Sequence, residues 1–195
     1  MSKFIYHNPV LLEKSVCELI TDPNGIYVDA TYGGGGHSRE LLCRLTKKGR
    51  LFAFDQDIDS KQNLVDDARF FFINSNFKHL KKYLNHYDVY EVSGIIADFG
   101  VSSYQLDVPL RGFSTMRDGP LDMRMNQGSN LTAESVVNNY ERKKLCKILK
   151  EYGQVNQAKE IANKIVSHRK IKPIKSTKEL VRVVENSHGK FLKYK

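Results

Sequence analysis

Tyr27-Val28-Asp29-Ala30-Thr31-Tyr32-Gly33-Gly34-Gly35-Gly36-His37-Ser38 decides how this chain folds. It reads as a buried strand, four glycines and the start of a helix. Consecutive glycines let the backbone take positive φ and let a ligand come close. A helix opening near Ser38 would aim unpaired N–H groups and its positive dipole end at that ligand. Working outward, Leu51-Phe52-Ala53-Phe54 is a second strand, and Asp55 follows it, 22 residues after Gly33. An acid at that offset, at a strand end, commonly takes the ribose hydroxyls of an adenosine cofactor. The alternative is a plain glycine-rich turn with no ligand. The flanking strand, the helix and Asp55 together weigh against it.

The dinucleotide fingerprint G-x-G-x-x-G fails in every register. Its third glycine falls on Ser38 counting from Gly33 and on Arg39 counting from Gly34. A nicotinamide oxidoreductase is therefore disfavoured. Asp-x-Thr-x-Gly-Gly-Gly-Gly is instead similar to the first motif of S-adenosylmethionine-dependent methyltransferases.

The rest of the first half keeps the same rhythm. Leu11, Leu12, Val16, Leu19 and Ile20 recur at helical spacing. Asp22-Pro23-Asn24-Gly25 is a turn. Leu41, Leu42 and Leu45 mark the core face of the helix after the glycines. Asp57-Ile58-Asp59 is expected to open a crossover helix reaching about Ala68, the two acids serving its dipole. Arg69 to Asn74 reads as a third strand, with Asn76-Phe77 just past it, and Ser93 to Asp98 as a fourth. Alternating strands and helices predict a parallel, doubly wound sheet. Ligands of such sheets bind beyond the carboxyl ends of the strands. Those ends carry Asp29, Asp55, Asn76-Phe77 and Asp98.

From Phe99 the rhythm stops. Gly100 to Asp107 reads as loop. So does Arg111 to Met125, which sets three arginines and two aspartates among turn residues. A long irregular segment rich in Phe, Leu and Met is a functional loop or an Arg–Asp network pinning a structural one. The remainder reads as helices over 132–138, around Leu145 to Leu149, over Ala158 to Ile165 and, after Pro173, from the capping box Ser176-Thr177-Lys178-Glu179.

Charge is unevenly spread over the 195 residues. Residues 139–195 hold 16 Lys/Arg against 5 Asp/Glu, and the first 138 hold 15 against 17. A near-neutral half with a cofactor motif and a strongly basic half suggest catalysis joined to polyanion binding, or a solvated basic face. No apolar run is long enough to span a membrane. The N-terminus lacks the apolar core of a signal peptide. Cys17, Cys43 and Cys146 are odd in number with no C-x-x-C, so buried thiols in a reducing cytosol are expected rather than a metal site or a disulfide framework.

Four blocks in order resemble the bacterial 16S ribosomal RNA cytosine-N4 methyltransferase family (RsmH, formerly MraW). They are His7-Asn8-Pro9-Val10-Leu11-Leu12, Gly33 to Ser38, Asp98-Phe99-Gly100-Val101-Ser102-Ser103, and Arg111-Gly112-Phe113-Ser114 with Met116 to Met125. The resemblance covers the whole chain. It implies an α/β, Rossmann-like class I methyltransferase sheet followed by an α-helical insert. Residues 1–110 would form the S-adenosylmethionine-binding part, 111–131 a connecting functional loop and 132–195 a basic helical insert. Carried over by position, the cofactor residues are Gly35, Gly36, His37, Asp55, Phe77, Asp98 and Gln105. His37 also suits an ordinary helix start, and Phe77 core packing. The catalytic base is not assigned; Asp98, or a backbone carbonyl of Phe99-Gly100-Val101, is the candidate acceptor for the amine. The implied cofactor is S-adenosyl-L-methionine, the partner 16S ribosomal RNA or the small ribosomal subunit, and the location cytoplasmic. No metal or membrane is implied.

Three departures stand out. Thr115 replaces a usual aromatic or larger apolar residue, and Gln154-Val155 follows Tyr152-Gly153 in place of a usual pair of acids. Family members also continue beyond Lys195 with closing strands, so only the first strands of the sheet are expected here, with an exposed apolar edge. A non-catalytic remnant with weak RNA or cofactor binding is the alternative function.

Overall fold

A computed structural model describes residues 11–185; His7 to Val10 of the first matching block lie outside them. The chain divides into two compact units. The first holds the described residues through Ser103 together with Met125–Gln127, and the second holds Tyr104–Arg124 and the chain from Gly128. The stretch expected as a connector, 111–131, is thus shared, mostly with the helical unit.

The first unit is a parallel sheet. Its strands are β1 (Ile26–Asp29), β2 (Arg50–Phe54), β3 (Phe70–Ile73) and β4 (Gly94–Ile96), in the order β3-β2-β1-β4. Val28 pairs in register with Phe52 and Ile95. Successive strand residues point to opposite faces, so β1 sends Tyr27 one way and Val28 the other. Tyr27 packs with Val16 of α1 (Leu12–Leu19) and with Leu41 and Leu42 of α2 (Gly36–Arg44). Val28 packs with Phe52, Phe54 and Leu84, the last from α3 (Leu80–His86). Apolar layers on both faces explain why the strands read as continuous hydrophobic runs. Among the described residues β4 pairs only with β1, and Ile95 is half exposed.

The predicted crossover helix from Asp57 to Ala68 is a correction. Only a 3-10 turn, Ile58–Asn63, forms. Asp57 caps it by accepting from Asp59 N. The Asn63 carbonyl, which an α-helix would offer to residue 67, instead accepts from the Tyr32 hydroxyl and the Arg39 guanidinium. Leu64 then turns extended and half exposed. Tertiary bonds to the glycine loop override the local helix signal.

In the second unit α4 (Ser103–Asp107), which opens at the unit boundary, replaces the loop expected there. Then come α5 (Ala133–Asn139), α6 (Arg142–Glu151), α7 (Ala158–Arg169) and α8 (Thr177–Glu185). Leu121, Val137, Leu145, Ile161, Ile165 and Ile174 lead its core. Thr132 and Ser135 form a reciprocal capping box before α5. The predicted box before α8 is present: Ser176 Oγ accepts from Glu179 N, and Glu179 accepts from Ser176 N.

The thiols are a second correction. Cys17 and Cys43 are exposed and Cys146 is partly so. Each lies beside the apolar stripe of its helix, with Val16, Leu42 and Leu145 taking the buried positions.

Candidate functional site

The carboxyl ends of the four strands gather the polar groups of the first unit. Asp29, ending β1, is almost fully buried. One carboxylate oxygen accepts from Thr31 N at 3.0 Å and the other from Ser38 Oγ at 2.7 Å. Burial pushes its carboxyl above the ordinary value, and those two hydrogen bonds oppose the rise. Asp29 therefore braces both sides of the glycine loop, which makes it a positioning residue.

The loop itself is shaped by two positive-φ glycines, Gly33 (49°) and Gly35 (75°). At Gly35 a side chain would also strike the Tyr32 ring. Gly35 is the N-cap of α2, so the N–H groups of Gly36, His37 and Ser38 precede any intrahelical partner and point out of the helix start. His37 is buried in that first turn.

Asp55, just past β2, reaches back to the loop. It accepts from Gly33 N at 2.7 Å and from Asp57 N at 2.9 Å. A carboxylate has about four lone-pair sites, so acceptor capacity remains beyond the backbone donors of Gly33, Asp57 and Gln56. Burial raises its pKa, against the hydrogen bonds from Asp57 and Gly33.

Past β3, Asn76 accepts from Lys78 N and its amide donates to Gln56 Oε1 at 2.8 Å. This ties the turn that carries Phe77 to the residue beside Asp55. Past β4, Asp98 N donates to Thr31 Oγ1 at 2.7 Å, which ties that turn to the glycine loop. Asp98 is exposed. Phe77 (41% exposed) meets Phe99 (71% exposed), with ring centroids 5.5 Å apart. The first unit thus brings together Gly35, Gly36, His37, Asp55, Phe77 and Asp98. Gln105 belongs to the second unit, where it is buried on α4.

The sequence places Asn76 at a strand end and Thr31 in the glycine motif, but marks neither of them, nor Asn63, as an anchor. The available signal was Asn76 in a capping position ahead of Phe77. Phe99 stands in a matching block, and no local pattern announces its exposure beside Phe77.

The second unit's Arg–Asp stretch is a pinned structure. The Arg124 fork grips Asp122 through two nitrogens at 2.9 and 2.6 Å and donates to Ser129 O. The buried Arg111 donates to Arg124 O. Gly112 and Gly119 sit where a side chain would run into the carbonyls of Pro120 and Pro109. On α6, Lys143, Lys147 and Lys150 recur at i, i+4 and i+7, all exposed, opposite Leu145, Ile148 and Leu149. Lys144 lies over the Tyr140 ring at 3.7 Å. Lys147 also lies 3.9 Å from Glu151, Lys172 pairs with Glu179, and Arg169 donates to Val137 O.

A sequence model described as the MraW methylase family matches residues 4–195. The chain belongs to the MraW methylase family. Among curated relatives, the ribosomal RNA small subunit methyltransferase H of Christiangramia forsetii is 51% identical over 175 residues, covering 90% of this chain and 58% of the relative. That of Flavobacterium johnsoniae is 51% identical over 180 residues, covering 92% and 60%. That of Phocaeicola vulgatus is 45% identical over 189 residues, covering 97% and 62%. The chain therefore spans about 60% of the length of these relatives. Its α/β parallel sheet followed by helices fits the Rossmann-like expectation for the family. Among the described residues, no helix is long and apolar enough to cross a membrane.

Proposed function

We propose that this chain binds S-adenosyl-L-methionine at the carboxyl ends of its strands and belongs to an enzyme that methylates the exocyclic amine of a cytidine in small-subunit ribosomal RNA. The observation that supports this best is Asp55. Its carboxylate is held against the glycine loop by Gly33 N, yet it keeps acceptor capacity for a further donor. A ribose hydroxyl supplies such a donor.

The other groups have matching roles. Gly35 and Gly36 admit the ligand close to the backbone, and the N–H groups opening α2, with His37 beside them, suit its amino-acid carboxylate. Phe77 offers an apolar ring to the adenine. When bound, the sulfonium supplies a strong methyl donor, so the protein's task is placement and exclusion of water. The amine lone pair of cytosine is delocalised into the ring. Asp98, or a backbone carbonyl of Phe99-Gly100-Val101, is the acceptor that would orient its N–H groups and stabilise the charge that develops there. Gln105 is retained as a cofactor residue by position. No metal has a role in this chemistry.

A cytidine inside a helix is out of reach, so the target is unstacked or single-stranded when it reacts. Lys143, Lys147 and Lys150 present a cationic row to the phosphates, with salt-dependent affinity. Relatives named as ribosomal RNA small subunit methyltransferases point to the same substrate. A cytoplasmic location follows from that substrate.

The experiment is transfer of a radiolabelled methyl group to small ribosomal subunits and to their naked RNA, with nuclease digestion to identify the modified base. Label in N4-methylcytidine supports the reading. Cofactor binding without any transfer would favour the non-catalytic alternative. Among the described residues β4 is an edge strand with Ile95 half exposed, and this gives that alternative its footing.

A further inference from the structure

We infer that Phe99 is the second wall of a slot that clamps the adenine ring against Phe77; this rests on the cofactor reading above. The two phenylalanines follow opposite edge strands, β3 and β4. Even so, their rings lie 5.5 Å apart with planes at 54°. The two turns that carry them therefore converge over the carboxyl ends of the central strands. Each turn is tied down at its base, through Asn76 to Gln56 and through Asp98 N to Thr31. Those ties end beside Asp55 and beside the glycine loop, so the aromatic pair stands over the groups assigned to the ribose and the amino-acid part.

The pair is poorly explained as core. Phe99 is 71% exposed and Phe77 41%. Gly100, next in the chain, has open space where a side chain would be. Exposed aromatic faces at a nucleoside site are stacking surfaces for a planar base. Inserting such a base between two rings needs a gap of about 7 Å, two carbon contacts of roughly 3.5 Å each. Phe99 must therefore swing outward by about 1.5 Å and level its tilt. Its exposure and the space at Gly100 allow that without disturbing the sheet. Adenine is favoured over the target cytosine because Phe77 is tied to the Asp55 side of the crevice.

The chain contains no tryptophan. Phe99→Trp therefore places a single tryptophan in the slot, excited selectively beyond the absorption of the ten tyrosines. Its emission should be quenched on titration with S-adenosylhomocysteine and with adenosine, and unchanged with homocysteine. In calorimetry, Phe99→Ala should weaken S-adenosylhomocysteine by roughly 5- to 150-fold, the range for loss of one base–aromatic stack. Its far-ultraviolet spectrum and melting should match wild type, since the ring is mostly in solvent. Binding by Phe99→Ala within twofold of wild type, or steady tryptophan emission at saturating S-adenosylhomocysteine, would overturn the slot while leaving the proposed function standing. Quenching by cytidine and not by adenosine would also overturn it. Absence of any binding by the wild-type chain would overturn both.

Discussion

Replacing Gly35 by alanine tests the glycine loop at its tightest point. The residue sits at φ 75°, where an L side chain costs about 1–2 kcal/mol. The new methyl would lie 2.7 Å from the Tyr32 hydroxyl oxygen. Tyr32 cannot step aside cheaply. It is 2% exposed, its hydroxyl donates to Asn63 O, and its ring is wedged against Phe70 and Phe72 at 5.4 and 5.3 Å. Overpacking of this kind costs roughly 1–3 kcal/mol. Together the two effects predict a loss of about 2–5 kcal/mol in the first unit. Gly33 is the internal control. It has φ 49°, but the nearest atom to an added Cβ is Thr31 O at 3.9 Å, so only the backbone cost applies. Urea unfolding followed by far-ultraviolet circular dichroism should rank wild type above Gly33→Ala, and Gly33→Ala above Gly35→Ala. S-adenosylmethionine affinity should fall most for Gly35→Ala. Equal stability of the two variants, or Gly35→Ala within about 0.5 kcal/mol of wild type, would refute the reasoning.

Further predictions follow from the same geometry. Acid should weaken both units. The Arg69 fork holds Asp67 at about 2, and the amide of Lys175 with the ammonium of Lys172 holds Glu179 at about 2. Both lie below their ordinary values of 3.8 and 4.5, so their stabilisation is present above those values and is lost as pH falls toward about 2. Urea midpoints should drop across that window, and Glu179→Gln should flatten the drop in the helical unit. Gly119→Ala should destabilise the second unit, because its methyl has no room beside Pro109 O; limited proteolysis of α5 to α8 reads this out. Ile95→Lys should reduce concentration-dependent self-association in sedimentation, since it puts a charge on a half-exposed apolar residue of an edge strand. A stable dimer unaffected by that change would refute it.

Much of the first unit was legible because its signals are local. Apolar runs bounded by turns marked each strand, and glycines beside Asp29 and Asp55 marked the crevice. The 3-10 turn at Ile58–Asn63 was not legible, because bonds from Tyr32 and Arg39 decide it. Those partners lie more than twenty residues away in sequence. The short α4 was masked by serines and a glycine that read as loop. For the stretch from Arg111 to Met125, the sequence leaves a functional loop and a pinned Arg–Asp network both open. In the fold, Asp122 and Arg124 grip each other, and Gly112 and Gly119 make the turns possible. The Phe77–Phe99 contact joins turns on opposite edges of the sheet, which no local pattern announces.

The central claim is that the strand ends of this chain form an S-adenosylmethionine crevice hung on Asp55. The most direct measurement is calorimetric titration of the purified chain with S-adenosylmethionine, beside Asp55→Ala and Asp55→Asn. Tight binding by wild type, weakened at least about tenfold in both variants as expected for hydrogen bonds to a charged group, is the predicted result. Binding by a folded wild-type chain that neither substitution weakens, or no binding at all, would contradict it.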